Sequence, residues 1–516
     1  MAQRDDAQKK LARASALMSS IGSEKDRWIA TKAKLAEDKM SLLGDMILAT
    51  AFITYLGPFE GNYRYRVLRD SWTKLLQRYR LRHTSHFNLK DVLGDEEQVA
   101  EWTINGLPNE NVSFENMIIL EETKKEKFPV IIDPEGQALR FLREQFAAKN
   151  YVPIKAAQPN AALQLQMALQ SGATVFCENS GDCSNAALLA IIKKEIVHIQ
   201  GDTYIKFNDQ QIFFDGDFQI FILTQLANPH FTPEVQQAAK ILNFSVTREG
   251  LEQQLLTMVC HSESAKEEEE REKLAKQNMR FSKQKREIVN QILKMLRDSG
   301  QDILESDDFV NTLEESKTIT QDINHKLTVA KHIEDRIEEN RKIFKPVAQH
   351  GARLYFAVQD LHMLDPMYVF SMRWFRDLFL QTFKVDNEPD SDDDNSKQDA
   401  SDSSVLVTAK QLKGRFAGGE ITKQQQKEIK QARVAELKQT FREILYRAVC
   451  MSLFERHKLL FAFFMALKIY EHGFQSDATF AEQLQELDKM ADTSGSGKPG
   501  DSRVDSSRIS AGDSAS

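Results

Sequence analysis

The sequence predicts an α/β body built on a parallel sheet, joined to a long α-helical coiled coil and flanked by further helical segments. Two observations carry this. Residues 87–260 hold short, nearly continuous apolar runs separated by amphipathic stretches, the pattern of strands buried on both faces with helices between them. Residues 261–345 hold apolar positions at steps of three and four on both sides of Gly300, the pattern of two helices folded back on each other. A charged fraction of 28% is high for a compact domain and suits long solvated helices.

The 516 residues allow about three folded units at roughly 150 residues each. Lys and Arg number 68 and Asp and Glu 76, a formal charge of −8, so no nucleic-acid partner is expected. The cysteines Cys177, Cys183, Cys260 and Cys450 form no C-x-x-C pair and have no histidine at zinc spacing, so reduced thiols and no metal are expected. The most apolar run, Leu459–Leu467, falls far short of the roughly 20 residues that span a bilayer. The N-terminus lacks an apolar h-region, so neither secretion nor membrane insertion is expected.

The first forty residues read as one helix. One seam row (Ala7, Ala14, Ile21, Trp28, Leu35, Leu42) is apolar; the other runs Leu11, Met18, Lys25, Lys32, Lys39. A half-lysine seam makes a weak coiled coil that needs a partner strand. Residues 43–86 are helical, aromatic-rich and broken at Gly57-Pro58 and Gly61. In the α/β block, Asn116–Leu120, Phe128–Ile132, Thr174–Cys177 and Phe218–Thr224 read as strands, with helices such as Gly136–Ala148 and Asn160–Ser171 between them. The hairpin follows at 261–345, with arms of 55–65 Å at about 1.5 Å per residue, projecting from the body and stopping at Lys345-Pro346. Residues 347–384 are compact and aromatic. Residues 386–404 carry eight acids against one lysine and are expected to be a disordered linker or insertion. Residues 406–474 are helical again, and the Ser/Gly/Asp-rich tail from about Asp492 is expected to be disordered.

A phosphate-binding loop needs glycines, so that backbone N–H groups can face the anion, and a lysine to neutralise it. The junction in the right place is Asp133-Pro134-Glu135-Gly136-Gln137, which follows a strand and opens a helix. It holds one glycine, no lysine and two acids, so nucleotide hydrolysis is not expected there. Glu178 ends another apolar strand, where an acid can hold Mg²⁺-bound water; without the phosphate loop it is expected to cap a helix or meet an arginine. Cys177 and Cys183 read as core and loop thiols, and Asn228-Pro229-His230 as a turn. The run Ser494–Pro499 imitates a P-loop but follows no strand. No H-E-x-x-H, G-x-S-x-G or dinucleotide motif occurs, so no catalytic residues are assigned.

Nine stretches now converge. They are FITYLGPF (52–59), FNLKDVLGD (87–95), EWTINGLPNENVSFEN (101–116), FPVIIDPEGQA (128–138), NPHFTPE (228–234), NFSVTREGLEQQLL (243–256), FKPVA (344–348), DPMYVF (365–370) and LFERHKLLFAF (453–463). Each is modest alone, but in this order they resemble the dynein heavy chains, of axonemal type, over about residues 1–385 and 435–475. The resemblance implies a fragment of the AAA+ motor ring around its fifth module. Residues 1–45 would be the return arm of the microtubule-binding stalk and 46–86 the helical end of the preceding module. Residues 87–260 would be the large α/β domain of the fifth module, with a degenerate P-loop at Asp133–Gln137 and a degenerate Walker B position at Glu178. Residues 261–345 would be the buttress, a hairpin that props the stalk, and 346–385 the helical remainder. Residues 386–434 would hold the acidic insertion and a connecting helix, 435–490 the start of the sixth module, and 491–516 a tail.

The resemblance further implies that this segment binds no cofactor, and that ATP and Mg serve other modules of the parent motor. Its partners would be the neighbouring AAA+ modules and the stalk of the same chain. Microtubules would be reached through the stalk tip, and intermediate and light chains through regions outside this sequence. The expected setting is the cytoplasm and cytoskeleton, in a ciliary or flagellar axoneme, with minus-end-directed movement as the parent's output. The alternative is a stand-alone coiled-coil scaffold with an inert α/β domain.

Overall fold

The computed structural model describes residues 28–147, 151–199, 201–207, 210–298, 307–384 and 423–476. The seam positions before Trp28, the Gly300 turn, the acidic insertion and the Ser/Gly tail lie outside them. The chain divides into two units, one running to Ala352 and including Phe370–Leu445, the other holding Arg353–Val369 and the residues from Tyr446.

The first unit begins with α1 (Trp28–Leu56), whose last turn, Phe52–Leu56, is π-helical. Its first half stands in solvent, with Ile29, Leu35 and Met40 exposed; its second half buries Asp45, Leu48, Ala49, Phe52 and Leu56. By length and composition this helix could cross a membrane, with 33% of its most apolar window buried inside the protein. That corrects the expectation that no segment is long and apolar enough. The sequence reading missed it because the apolar stretch is broken by Asp45 and by small residues. Asp45 accepts hydrogen bonds from the Thr84 backbone N–H (2.8 Å) and hydroxyl (2.7 Å), which fastens this half of the helix to the segment behind it.

Short helices α2 (Gly61–Val67) and α3 (Thr73–Arg78), joined by a π turn, lead to α4 (Leu89–Leu93), α5 (Glu96–Ile104) and α6 (Asn111–Thr123). Asn88 and Asp95 cap α4 and α5 by accepting from the N–H groups of Lys90 and Glu97. The run Asn116–Leu120, expected as a strand, lies inside α6. It is buried throughout, including Asn116, so a short run of this kind shows no exposed polar period to separate helix from strand.

A five-stranded parallel sheet follows, in the order β2-β3-β7-β1-β8. Its strands are β1 (Pro129–Ile132), β2 (Tyr151–Lys155), β3 (Thr174–Glu178), β7 (Gln219–Thr224) and β8 (Lys240–Asn243). Helices α7 (Gln137–Gln145), α8 (Ala161–Ser171), α9 (Ala186–Lys193) and α10 (Pro233–Ala238) connect them. β1 and β3 are buried almost throughout, as strands covered on both faces must be. A small antiparallel sheet, β4 (Ile196–Ile199), β5 (Asp202–Phe207) and β6 (Gln210–Phe213), is inserted before β7. Two apolar clusters flank the main sheet: Val130, Ile220 and Ile222 face α8 and α9, while Ile131, Phe221 and Leu223 face α6 and α7.

Helix α11 (Arg248–Glu263) runs from β8 into α12 (Ala265–Asp298), and α13 (Asp307–Gln359) returns. The helix does not stop at Lys345-Pro346 as expected. Pro346 sits inside α13, and Phe344, Val347, Ala348 and Ala352 around it are all buried. Packing on both sides outweighs the ~3 kcal/mol that an interior proline costs. α14 (Met372–Lys384) and α15 (Lys423–Cys450) close the unit, with Phe375 and Phe379 edge-on to Phe441 at 5.6 and 4.9 Å. In the second unit, α16 (Glu455–Ser476) carries His457, whose Nδ1 lies 2.7 Å from the Tyr368 hydroxyl. That hydroxyl also accepts from the Phe454 N–H.

Candidate functional site

The C-terminal edge of a parallel sheet is where ligands enter α/β domains, because helix N-termini converge there. In this chain that edge is filled by the protein itself. Asp133, only 2% exposed, follows β1. Its Oδ1 accepts from the Gln137 N–H at 2.8 Å and its Oδ2 from the Leu139 N–H at 2.9 Å. Gly136 makes the turn at φ 72°, a left-handed conformation open to glycine, and its Cβ position is empty. Glu135 is half-buried and accepts from the Val246 N–H at 3.4 Å. Burial, and next the Asp133 charge, push its carboxyl up to about 7. Burial likewise raises Asp133, against the pull of the surrounding backbone N–H groups.

Glu178, at the end of β3, pairs with Arg143 of α7, one of the two roles the sequence suggests for it. The Cys177 and Cys183 thiols are buried and free, and burial pushes Cys177 up to about 12. The His230 N–H is held by Asp182 (2.9 Å), which makes Asn228–His230 a tied turn. Among the described residues no group of three or more His, Cys, Asp or Glu could hold a metal ion.

Two polar joints tie neighbouring elements to this body. The first fastens the root of α1 to β8. The Lys240 ammonium donates to the carbonyls of Ile53 and Thr54 in the π turn, where the α-helical ladder has shifted. The Asn243 N–H donates to Gly57 O at 2.9 Å, and Gly57 approaches so closely that a Cβ there would lie 2.6 Å from Ile241 O. Arg64, fully buried, donates to Gly57 O (2.9 Å), Phe59 O (2.8 Å) and Asn116 Oδ1 (2.7 Å), and pairs with Glu115 at 3.6 Å. Asn116 in turn donates to Asn243 O at 2.7 Å. Burial lowers Lys240 to about 8 and raises Glu115 to about 7, the latter against the pull of Arg64.

The second joint is the base of the hairpin. α12 and α13 run antiparallel, with Glu268 bonded to Arg341, Glu267 to Asn340 (3.1 Å), Phe281 beneath Lys326 (5.6 Å) and Lys285 to Asn324 (2.9 Å). Glu268 and Arg341 side chains are 1% and 6% exposed, and Arg271 also holds Glu268 at 2.7 Å. α15 joins in: Arg433 bonds Glu263 at 2.9 Å and Lys430 bonds Asn340 at 3.1 Å. Further out, an open apolar groove of about 640 Å³ lies between the arms, lined by residues including Leu274, Phe281, Val329 and Ile333. The first arm does not simply project: Arg286 binds Asp95 (2.9 Å) and Glu97 (3.5 Å) at the start of α5.

Residues 100–323 match the family model described as the ATP-binding dynein motor region, and residues 2–76 match the microtubule-binding stalk of the dynein motor. The chain belongs to the dynein heavy-chain family. It is 31% identical to dynein axonemal heavy chain 3 of Mus musculus over 458 residues, 89% of this chain and 10% of that protein. It is 30% identical to dynein axonemal heavy chain 1 of Homo sapiens over 465 residues, 90% of this chain and 10% of that protein. Against the dynein-1-beta heavy chain of the flagellar inner arm I1 complex of Chlamydomonas reinhardtii it is 30% identical over 388 residues, 75% of this chain and 8% of that protein. The chain thus spans about a tenth of the length of the curated relatives it matches.

The structure brings Asp133, Pro134, Glu135, Gly136 and Gln137 together in one turn and pairs Glu178 with Arg143. The sequence reading missed Lys240, Asn243, Arg64 and the Glu268–Arg341 pair. Lys240 left a signal, since it is the one cation between Val235 and Phe244, whereas Arg64, with Arg66 two residues on, left none.

Proposed function

We propose that this chain is a non-hydrolysing relay of a dynein motor ring, passing movement of neighbouring AAA+ modules to a microtubule-binding stalk. The observation that carries this is the joint at the root of α1: Lys240, Asn243, Arg64 and Asn116 tie that helix to the sheet, so rotation of the sheet moves the helix with it. The exposed apolar residues of the first half of α1, Ile29, Leu35 and Met40, suit a partner helix, as a stalk arm requires. The hairpin is the buttress, rooted by Glu268–Arg341 and propping the stalk from the same body. ATP and Mg act in other modules. Microtubules bind at the stalk tip, intermediate and light chains bind elsewhere in the parent, and the setting is the ciliary or flagellar axoneme, with minus-end-directed movement. The names of the relatives support that setting.

The test uses a full-length heavy chain carrying Lys240→Met with Asn116→Ala, which removes the side-chain ties to the α1 carbonyls, to Arg64 and to Asn243 O. Microtubule affinity is measured with and without ATP, alongside ATP turnover. The expected result is unchanged basal turnover with at least a threefold smaller nucleotide-dependent swing in affinity. An unchanged swing would show that the α1 joint relays nothing.

A further inference from the structure

We infer that the outer face of α2 and α3, with the turn that follows them, is a docking stripe for an extended acidic segment of another protein chain. Between Gly61 and His86 the sequence holds six arginines and one lysine against a single acid, Asp70, in a chain of formal charge −8. One of these arginines, Arg64, is buried in the joint at the root of α1. The other six cations, Arg66, Arg69, Lys74, Arg78, Arg80 and Arg82, are exposed. Arg69 meets Asp70 at 3.6 Å in an open pair of little strength. Among the described residues the remaining five have no acidic partner, whereas exposed arginines elsewhere, such as Arg143 and Arg286, do find a carboxylate. Arg66 lies over the Tyr63 ring at 5.4 Å, which steadies its guanidinium without neutralising it.

The backbone sets these cations in a row. α2, the π turn Leu68–Trp72 and α3 follow one another without a break. Arg64, Leu68, Trp72 and Leu76, four residues apart, form the inner row: Trp72 is half-buried and the others are buried. In a plain α-helix, steps of four drift by about 40° each, because a turn takes about 3.6 residues. The wider π turn takes up that drift and keeps the inner row straight. The row two residues on, Arg66, Asp70, Lys74 and Arg78, is kept straight on the outer side in the same way. Asp70 interrupts it, and Arg69 beside it restores the charge. The step of this row is about 6 Å. An extended peptide presents a side chain on one side every two residues, about 6.7 Å apart, so acids at alternate positions meet the row nearly in step. The arginine fork, which can donate two N–H bonds to one carboxylate, suits this class of ligand. A long polyanion such as a nucleic acid would run past the stripe over a protein of net negative charge, and a short acidic segment would not. The stripe goes beyond the relay reading and does not depend on it.

The experiment titrates the 516-residue chain with three fluorescent peptides of equal length. In one, glutamate alternates with serine; in the second, the same residues stand as a glutamate block and a serine block; in the third, glutamine alternates with serine. The alternating acidic peptide should bind saturably, more weakly as salt rises, and about threefold or more tighter than the block isomer, while the glutamine peptide should not bind. Arg66→Gln with Lys74→Gln and Arg78→Gln should weaken that binding about tenfold, as the loss of three exposed ion pairs allows. Lys273→Gln with Lys276→Gln and Lys283→Gln removes the same charge from exposed positions of α12 and should change it by less than about twofold. Absence of saturable binding, or equal losses in the two triple variants, would overturn the stripe. Equal affinity for the alternating and block peptides would do so in the unaltered chain, with no variant needed. Tighter binding of a single-stranded oligonucleotide, or of vesicles of phosphatidylcholine with phosphatidylserine, would overturn the choice of a protein partner. Peptide binding that appears only once residues 386–404 are deleted would assign the stripe to this chain's own acidic run and overturn it equally.

Discussion

Glu135 and Glu115 are carboxyls that burial pushes to about 7, each with a neighbour that modifies the effect: Asp133 raises Glu135 further, and Arg64 pulls Glu115 back. The folded protein therefore holds these protons over a range where the unfolded chain, near 4.5, has released them. Stability must fall as pH rises from about 4.5 to about 7, because the folded state binds more protons than the unfolded one. Glu135→Gln removes one titrating group and should flatten that decline, as read from urea midpoints at pH 5 and pH 7; an unaltered slope would remove Glu135 from the account. Much of this turn was legible in the sequence. One glycine, no lysine and two acids at a strand-to-helix junction lead to the expectation of no working phosphate loop. The sequence could not tell repulsion from substitution. Asp133 turns inward onto the helix N–H groups, which depends on the left-handed Gly136 and on the buried sheet edge beneath it.

At the level of elements, the hairpin has a firm base and a looser middle. The Glu268–Arg341 pair fixes the register of α12 against α13 where water is nearly excluded, whereas the apolar groove around Phe281 and Ile333 is open. Breaking a buried pair leaves one charge stranded, at about 3–5 kcal/mol, whereas replacing both partners with apolar residues can be close to neutral. Glu268→Leu should therefore lower unfolding stability strongly, because it leaves the buried Arg341 with only the exposed Glu338 at 3.5 Å, and Arg341→Leu with Glu268→Leu should recover most of the loss; equal losses in the single and double variants would show that the pair sets no register. The two arms were readable from their three/four spacing, but their ends were not. An interior proline predicts a stop, and α13 passes through it because packed side chains on both flanks hold the helix together. The buried run Asn116–Leu120 failed in the opposite way: having no polar face, it carried no period to read.

For the molecule as a whole, the α/β body is a junction: Lys240 reaches α1, Arg286 of the hairpin reaches the start of α5, and Glu263 of α11 reaches Arg433 of α15. Among the described residues no group of three or more His, Cys, Asp or Glu could hold a metal ion. Purified 516-residue chain should accordingly release no phosphate from ATP above the level of a buffer blank, and sustained turnover that follows the protein through a sizing column would contradict the relay reading. Family-level order was visible in nine sequence motifs. The joints were invisible because they form between residues far apart in the chain, such as Arg64 with Asn116 and Lys240 with Ile53.

The sheet order also has a consequence for how copies of this protein behave towards each other. β8 is an outer strand, yet the Asn243 amide is already taken by Gly57. The opposite outer strand, β2, carries Pro153, which has no amide proton to offer. With one flank shielded by its own chain and the other chemically blunted, there is little for a stray extended peptide to zip onto. Even at high concentration, clumping through end-to-end sheet growth should be the least of this protein's hazards.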